Sequence, residues 1–194
     1  MKAVPRNRYI VFVAIAAVGC IVDLTSKAWI FARMGMPFEQ PSQWLVKDIF
    51  GFTISLNEGA LFGIGQGQVP LFAALSIIAA LGILYWLFIA DAAQDWLLTV
   101  ALGSVTAGIF GNLYDRVGLP GLKWNFDAAG HQVGDPVYAV RDWLHFKLEG
   151  VIDWPIFNIA DALLVCGAAL LVWHAVRAES PQVAGESVDK PASA

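Results

Sequence analysis

Charge is what this chain has least of. Only 14% of its 194 residues are Asp, Glu, Lys or Arg, against roughly 25% in soluble domains. That shortage excludes a fold wetted on every side. Cysteine is scarce as well: Cys20 and Cys166 both fall in apolar segments, which favours packing roles over a disulfide. The three histidines, His131, His145 and His174, are scattered, with no H-E-x-x-H run and no Cys/His spacing. Neither a metal site nor a cofactor is expected. The net charge of −4 is modest and gives no reason to expect a nucleic-acid partner.

What is present is hydrophobic length. Apolar residues make up 58% of the chain and mean hydropathy is +0.62, which predicts an integral membrane protein. Crossing a bilayer core takes about 20 mostly apolar residues, and four stretches qualify. They are expected as helices over approximately 9–32, 69–90, 96–115 and 155–176. The first is interrupted by Asp23 and Lys27, one turn apart near its far end. The second and third are joined by the short acidic turn Asp91–Asp95 and form a hairpin. The fold class expected is an all-α four-helix membrane bundle, with a single embedded domain over 1–177. Residues 178–194 have almost no large apolar side chains and are expected to be a disordered tail. A signal peptide, or a loose lipobox at Ala17–Cys20, is a rival reading of the first segment. Three further spans and the lack of the usual Leu before Cys20 count against it.

Lys2, Arg6 and Arg8 precede the first span, so the positive-inside rule puts both termini in the cytoplasm. The loops after the first and third spans then lie outside. In the first of them, Phe50–Asn57 alternates apolar with small or polar residues, the period of a strand, and Trp44–Asp48 could pair with it. This is the small extramembrane β-element of the predicted fold. Trp44, Trp124, Trp143 and Trp154 read as interfacial anchors. Gly59, Gly63, Gly65 and Gly67 suggest a flexible return into the second span.

Polar residues gather at the outer end. Asp161 lies in the fourth apolar stretch, six residues after Pro155, where a short carboxylate cannot snorkel. Asn158 sits one turn before it, and Asn112 stands in the same relation to Asp115. Asp23 with Lys27 reads equally as an ion pair steadying the first helix or as part of a site. Asp115 with Arg116 reads as interfacial capping, and Gly103 and Gly108 as close helix packing. A proton-coupled transporter or channel, or a scaffold whose aspartates hold helices together, would also place acids here.

Four ordered motifs resemble those of bacterial lipoprotein signal peptidase, signal peptidase II. They are Asp23-x-x-x-Lys27, Asn57-Glu58-Gly59-Ala60-Leu61-Phe62-Gly63, Gly108-x-x-Gly111-Asn112-x-x-Asp115-Arg116 and Phe157-Asn158-x-Ala160-Asp161. The resemblance covers about 9–177. It implies an intramembrane aspartic endopeptidase of the bacterial inner membrane, acting as a monomer among membrane lipids. Its implied substrates are prolipoproteins carrying a diacylglyceryl-cysteine, cut just before that Cys. It also implies two catalytic aspartates, Asp161 and Asp142, the latter in Val140-Arg141-Asp142-Trp143. Asp23, Lys27, Asn57, Gly108, Asn112, Asp115, Arg116, Asn158 and Ala160 would bind substrate or support the site. The interval between Asp115 and Asp142 is longer than the resemblance implies, through an insertion around Leu119–Val137. Asp127, Asp135 and Asp153 therefore stay open as alternatives to Asp142.

Overall fold

A computed structural model describes residues 4–60, 63–128 and 130–179. The tail expected from 178 onward lies outside them from residue 180, as do Leu61 and Phe62 of the first-loop motif. Four described helices are long and apolar enough to cross a membrane. They are α1 (Arg6–Met34), α2 (Val69–Leu84, continued by a π-helical turn over Tyr85–Ile89), α3 (Trp96–Arg116) and α4 (Ile159–Glu179). The 29 residues of α1 span about 44 Å at about 1.5 Å each, well beyond a hydrocarbon layer of roughly 30 Å. In its last turns Ile30, Phe31 and Met34 pack beneath the sheet, against Trp143 and Phe52. The helix stops at Gly35, whose φ of 75° turns its N–H back onto the Phe31 carbonyl.

The buried helix is α3. It packs on α1, α2 and α4, and its Ala101, Leu102, Thr106, Ala107, Gly108, Gly111 and Asn112 are all enclosed. By contrast α2 buries only Val69, Ala80 and Ile83 within its regular turns. Small residues let the backbones approach. A Cβ added at Gly108 would lie 2.5 Å from the Ala160 carbonyl oxygen, and one at Gly111 would lie 2.5 Å from Asp23 Oδ2. At the start of α3 Asp95 caps the helix by accepting from Leu98 N at 3.0 Å. Arg8 Nε donates to Ala93 O (3.1 Å) and His174 Nε2 meets Asp95 Oδ2 (3.2 Å). The two ends of the described chain thus share one side with the α2–α3 turn.

At the opposite end of the bundle lies an antiparallel sheet in the order β1-β2-β3-β4: β1 (Gln43–Val46), β2 (Phe50–Asn57), β3 (Val140–Leu148) and β4 (Ile152–Asp153). Two strands were expected from the first loop. The other two come from the segment before α4, so the fold is mostly helical as expected and its small β-element is a composite sheet rather than one confined to the first loop. Their pairing is long-range: Phe50 faces Phe146, Phe52 faces Leu144 and, past an irregularity, Ser55 faces Asp142. Trp143 packs with Ile30, Phe31 and Met34, and Trp124 with Val137 and Ala139. Those two tryptophans are core residues rather than the interfacial anchors expected, because the sheet and the insertion close over them. The insertion itself folds back as an irregular hairpin, with Gly134 N donating to Trp124 O (2.8 Å) and Val137 N to Leu122 O (3.0 Å).

Candidate active site

The fourth helix begins later than hydropathy suggests. Phe157 is still extended, exchanging backbone hydrogen bonds with Leu144 of β3, so α4 can start only at Ile159. Asn158 caps it: Asn158 Oδ1 accepts from Asp161 N at 2.9 Å, and Asp161 Oδ2 accepts from Asn158 N at 3.3 Å. This is a reciprocal capping box. Asp161 therefore sits in the first turn of α4, not six residues along a helix from Pro155. There the carboxylate faces the positive end of the helix dipole. The other N-x-x-D pair, Asn112 and Asp115, lies inside α3 and caps nothing.

Asp142 reaches the same place from β3. Two asparagines join the acids: Asn158 Nδ2 donates to Asp142 Oδ1 (2.5 Å) and to Asn112 Oδ1 (3.2 Å), and Asn112 Nδ2 donates to Asp161 Oδ1 (2.8 Å). On the other side Asn57 Nδ2 donates to Asp142 Oδ2 at 3.2 Å. Asp142 is 1% exposed and Asp161 8%, so Asp161 is the acid that opens to the cleft. Burial, and then the neighbouring Asp161 carboxylate, push the Asp142 carboxyl up to about 8. The asparagine bonds and Lys27 pull the other way.

A second layer of charge holds this layer. Lys27 is fully enclosed, with Nζ 2.8 Å from Asp23 Oδ2, 3.1 Å from Asp115 Oδ2 and 2.9 Å from Asn112 Oδ1. Asp23 Oδ1 accepts from Ala160 N at 2.8 Å, tying α1 to the start of α4. Asp115 is also gripped by Arg141, through its backbone N–H (3.1 Å), Nε (2.9 Å) and terminal nitrogen (2.8 Å). Asp115 is thus an internal ion-pair hub rather than an interfacial cap. Arg141 was not singled out from the sequence. Its signal is its place beside Asp142 on a strand whose first four residues are all buried.

The cleft beside these residues holds about 250 Å³, lined by Asn57, Asn112, Arg116 and Asp161 and, on its apolar wall, by Phe72, Leu75 and Leu164. Arg116 donates to Gly59 O at 2.8 Å, while its buried Nε has no partner among the described residues. The structure brings together Asp23, Lys27, Asn57, Asn112, Asp115, Arg116, Asp142, Asn158 and Asp161, with Gly108 and Ala160 as the close helix contact behind them. It does not bring in the other aspartates. Asp127 and Asp135 accept backbone N–H groups within the insertion. Asp153 pairs with His145 at 2.8 Å on the exposed edge, and that hydrogen bond holds its carboxyl below the usual range.

The family model described as Signal peptidase (SPase) II matches residues 15–177. The chain belongs to that family. It is 43% identical to the lipoprotein signal peptidase of Rhodopirellula baltica over 173 residues, 88% of this chain and 73% of that one. It is 29% identical to the Pseudomonas aeruginosa lipoprotein signal peptidase, across 82% of this chain and 83% of that one. A bacterial membrane enzyme solved by the in meso method at 2.3 Å superposes with a TM-score of 0.71. It is 28% identical, covering 90% of this chain and 93% of its own. Signal peptidase II removes signal peptides from prolipoproteins, so this chain is a protease with multiple membrane spans and prolipoprotein substrates.

Proposed function

We propose that the chain is an aspartic endopeptidase, cutting diacylglyceryl-modified prolipoproteins at the outer face of the bacterial cytoplasmic membrane. Asp142 and Asp161 are its catalytic pair. The observation that carries this reading is the Asn158–Asn112 bridge, which binds one oxygen of each carboxylate and leaves Asp161 facing the cleft. The Asp161 carboxylate raises the cost of ionising Asp142, so the pair shares one proton at neutral pH, and the deeper burial of Asp142 favours its keeping it. Asp161, ionised, takes a proton from a water, whose oxygen bonds to the scissile carbonyl carbon. Asp142 hydrogen-bonds to the carbonyl oxygen. The proton gained by the pair then passes to the amide nitrogen as the C–N bond breaks. The products are a signal peptide ending in a carboxylate and a lipoprotein beginning at its lipidated cysteine.

Arg116, whose Nε beside the cleft has no partner among the described residues, would hold a substrate carbonyl. The apolar wall of Phe72, Leu75 and Leu164 opens toward the lipid-facing side of α2, where Leu71, Ile78 and Leu81 are exposed. Diacylglyceryl chains would lie there. The protein would work as a monomer with both termini in the cytoplasm. The test is cleavage of a diacylglyceryl-modified prolipoprotein by purified wild-type protein and by Asp142→Asn and Asp161→Asn. Each variant is expected to lose nearly all activity, since paired catalytic groups act as a unit. Full cleavage by either removes that aspartate from the mechanism.

A further inference from the structure

The insertion reaches the active-site loop at one point. His131, near its tip, places Nε2 2.6 Å from Glu58 Oε1. Its ring is stacked on Trp124 with centroids 4.6 Å apart and planes 11° from parallel. Trp124 is buried with Val137 and Ala139, and this cluster packs on Leu56 of β2. The imidazole is therefore fixed from below and presented to Glu58 at a set height. Both partners are largely shielded, with side chains 25% and 17% exposed, so the contact is not a loose surface pair.

Glu58 lies between two residues that shape the site. Asn57 before it donates to Asp142 Oδ2, and the Gly59 carbonyl after it accepts from Arg116. The same turn is also held by Gln66, whose Oε1 accepts from Glu58 N (3.0 Å) and whose Nε2 donates to Asn57 Oδ1 (3.0 Å). Without the His131 contact the Asn57–Gly59 turn would rest on Gln66, Arg116, its own backbone and, at Asn57 alone, on β3 through Val140 and Asp142. We infer that the insertion is a strap that acts through His131 and Glu58, and that His131 is a positioning residue for Asn57 and Arg116. This rests on the peptidase reading for its catalytic consequence, but not for its structural one.

Two readouts separate those. Hydrogen exchange at the backbone of 56–60 should quicken about tenfold in His131→Ala and in Glu58→Ala, whether or not any substrate is cut. With a diacylglyceryl-modified prolipoprotein, kcat/KM should fall about tenfold in each single variant and no further in the double variant. The exchanged pair Glu58→His with His131→Glu should recover most of the loss, which a merely structural role for either side chain would not produce. If exchange at 56–60 is unchanged in both single variants, or the two kcat/KM losses simply multiply, the strap is refuted. If the wild-type protein cleaves nothing, the peptidase reading falls while the exchange result still decides the strap.

Discussion

Lys27 has no solvent exposure and touches two carboxylates and an asparagine that itself binds Asp161. Its removal strands the buried Asp23 carboxylate and leaves Asp115 to Arg141 alone, so Lys27→Met should cost about 3 to 5 kcal/mol, the usual penalty for breaking a buried ion pair from one side. Thermal unfolding in detergent checks this, and a melting temperature equal to wild type would contradict the pairing. The pH response belongs to the same scale. The Asp142 carboxyl is raised from an ordinary value near 3.8 to about 8. A group raised on folding contributes stability that is complete below its unfolded pKa and is lost as pH rises through the folded one. Both stability and cleavage should therefore decline as pH passes about 8, where Asp142 loses the proton that bonds the scissile carbonyl. A kcat/KM profile still flat well above that point would rule out Asp142 as the acid. The sequence made Asp161 legible, because a carboxylate in an apolar run stands out. It did not do so for Asp142, which became visible only through resemblance and lies among several other acids in the same loop.

The helices were readable because each solves a local problem: enough apolar residues in succession to cross a bilayer. The strands β3 and β4 were not, since their partner is set by tertiary pairing. Asn57 meets Asp142 from 85 residues away, and nothing within Val140–Leu148 names that register. The start of α4 was missed for a related reason. Hydropathy continues smoothly through Pro155–Ile159, while the backbone is held extended there by β3 and released into a helix only at the Asn158 cap. The α3–α4 contact offers an element-level test. Gly108→Val would drive a side chain into the Ala160 carbonyl, 2.5 Å from the first added carbon. The helices must part, moving Asn112 away from Asp161, and a misplacement of about 1 Å can cost about a hundredfold in rate. Cleavage by Gly108→Val should fall by that order. Gly82→Ala on α2, where an added Cβ meets nothing within 4 Å, should keep wild-type activity.

At the scale of the whole molecule the charges are sorted by end. The buried carboxylates, Lys27, Arg116 and Arg141 lie at the end with the sheet, while Arg8, Asp95 and His174 lie at the other with the α2–α3 turn. The geometry puts both ends of the described chain on one side, and we propose from the density of Lys2, Arg6 and Arg8 that this side is the cytoplasm. The peptidase reading depends on it, since a site on the cytoplasmic face could not meet a substrate whose lipidated cysteine lies outside. Single cysteines in a background with Cys20 and Cys166 replaced by alanine would decide the matter. Val133→Cys, on the insertion and 63% exposed, should react with a membrane-impermeant maleimide added to intact spheroplasts. Gln94→Cys, in the α2–α3 turn, should react only after the membrane is opened. The reverse pattern would place the aspartates at the inner face, and the proposed substrate would then be out of reach of Asp161 however well the two acids are arranged.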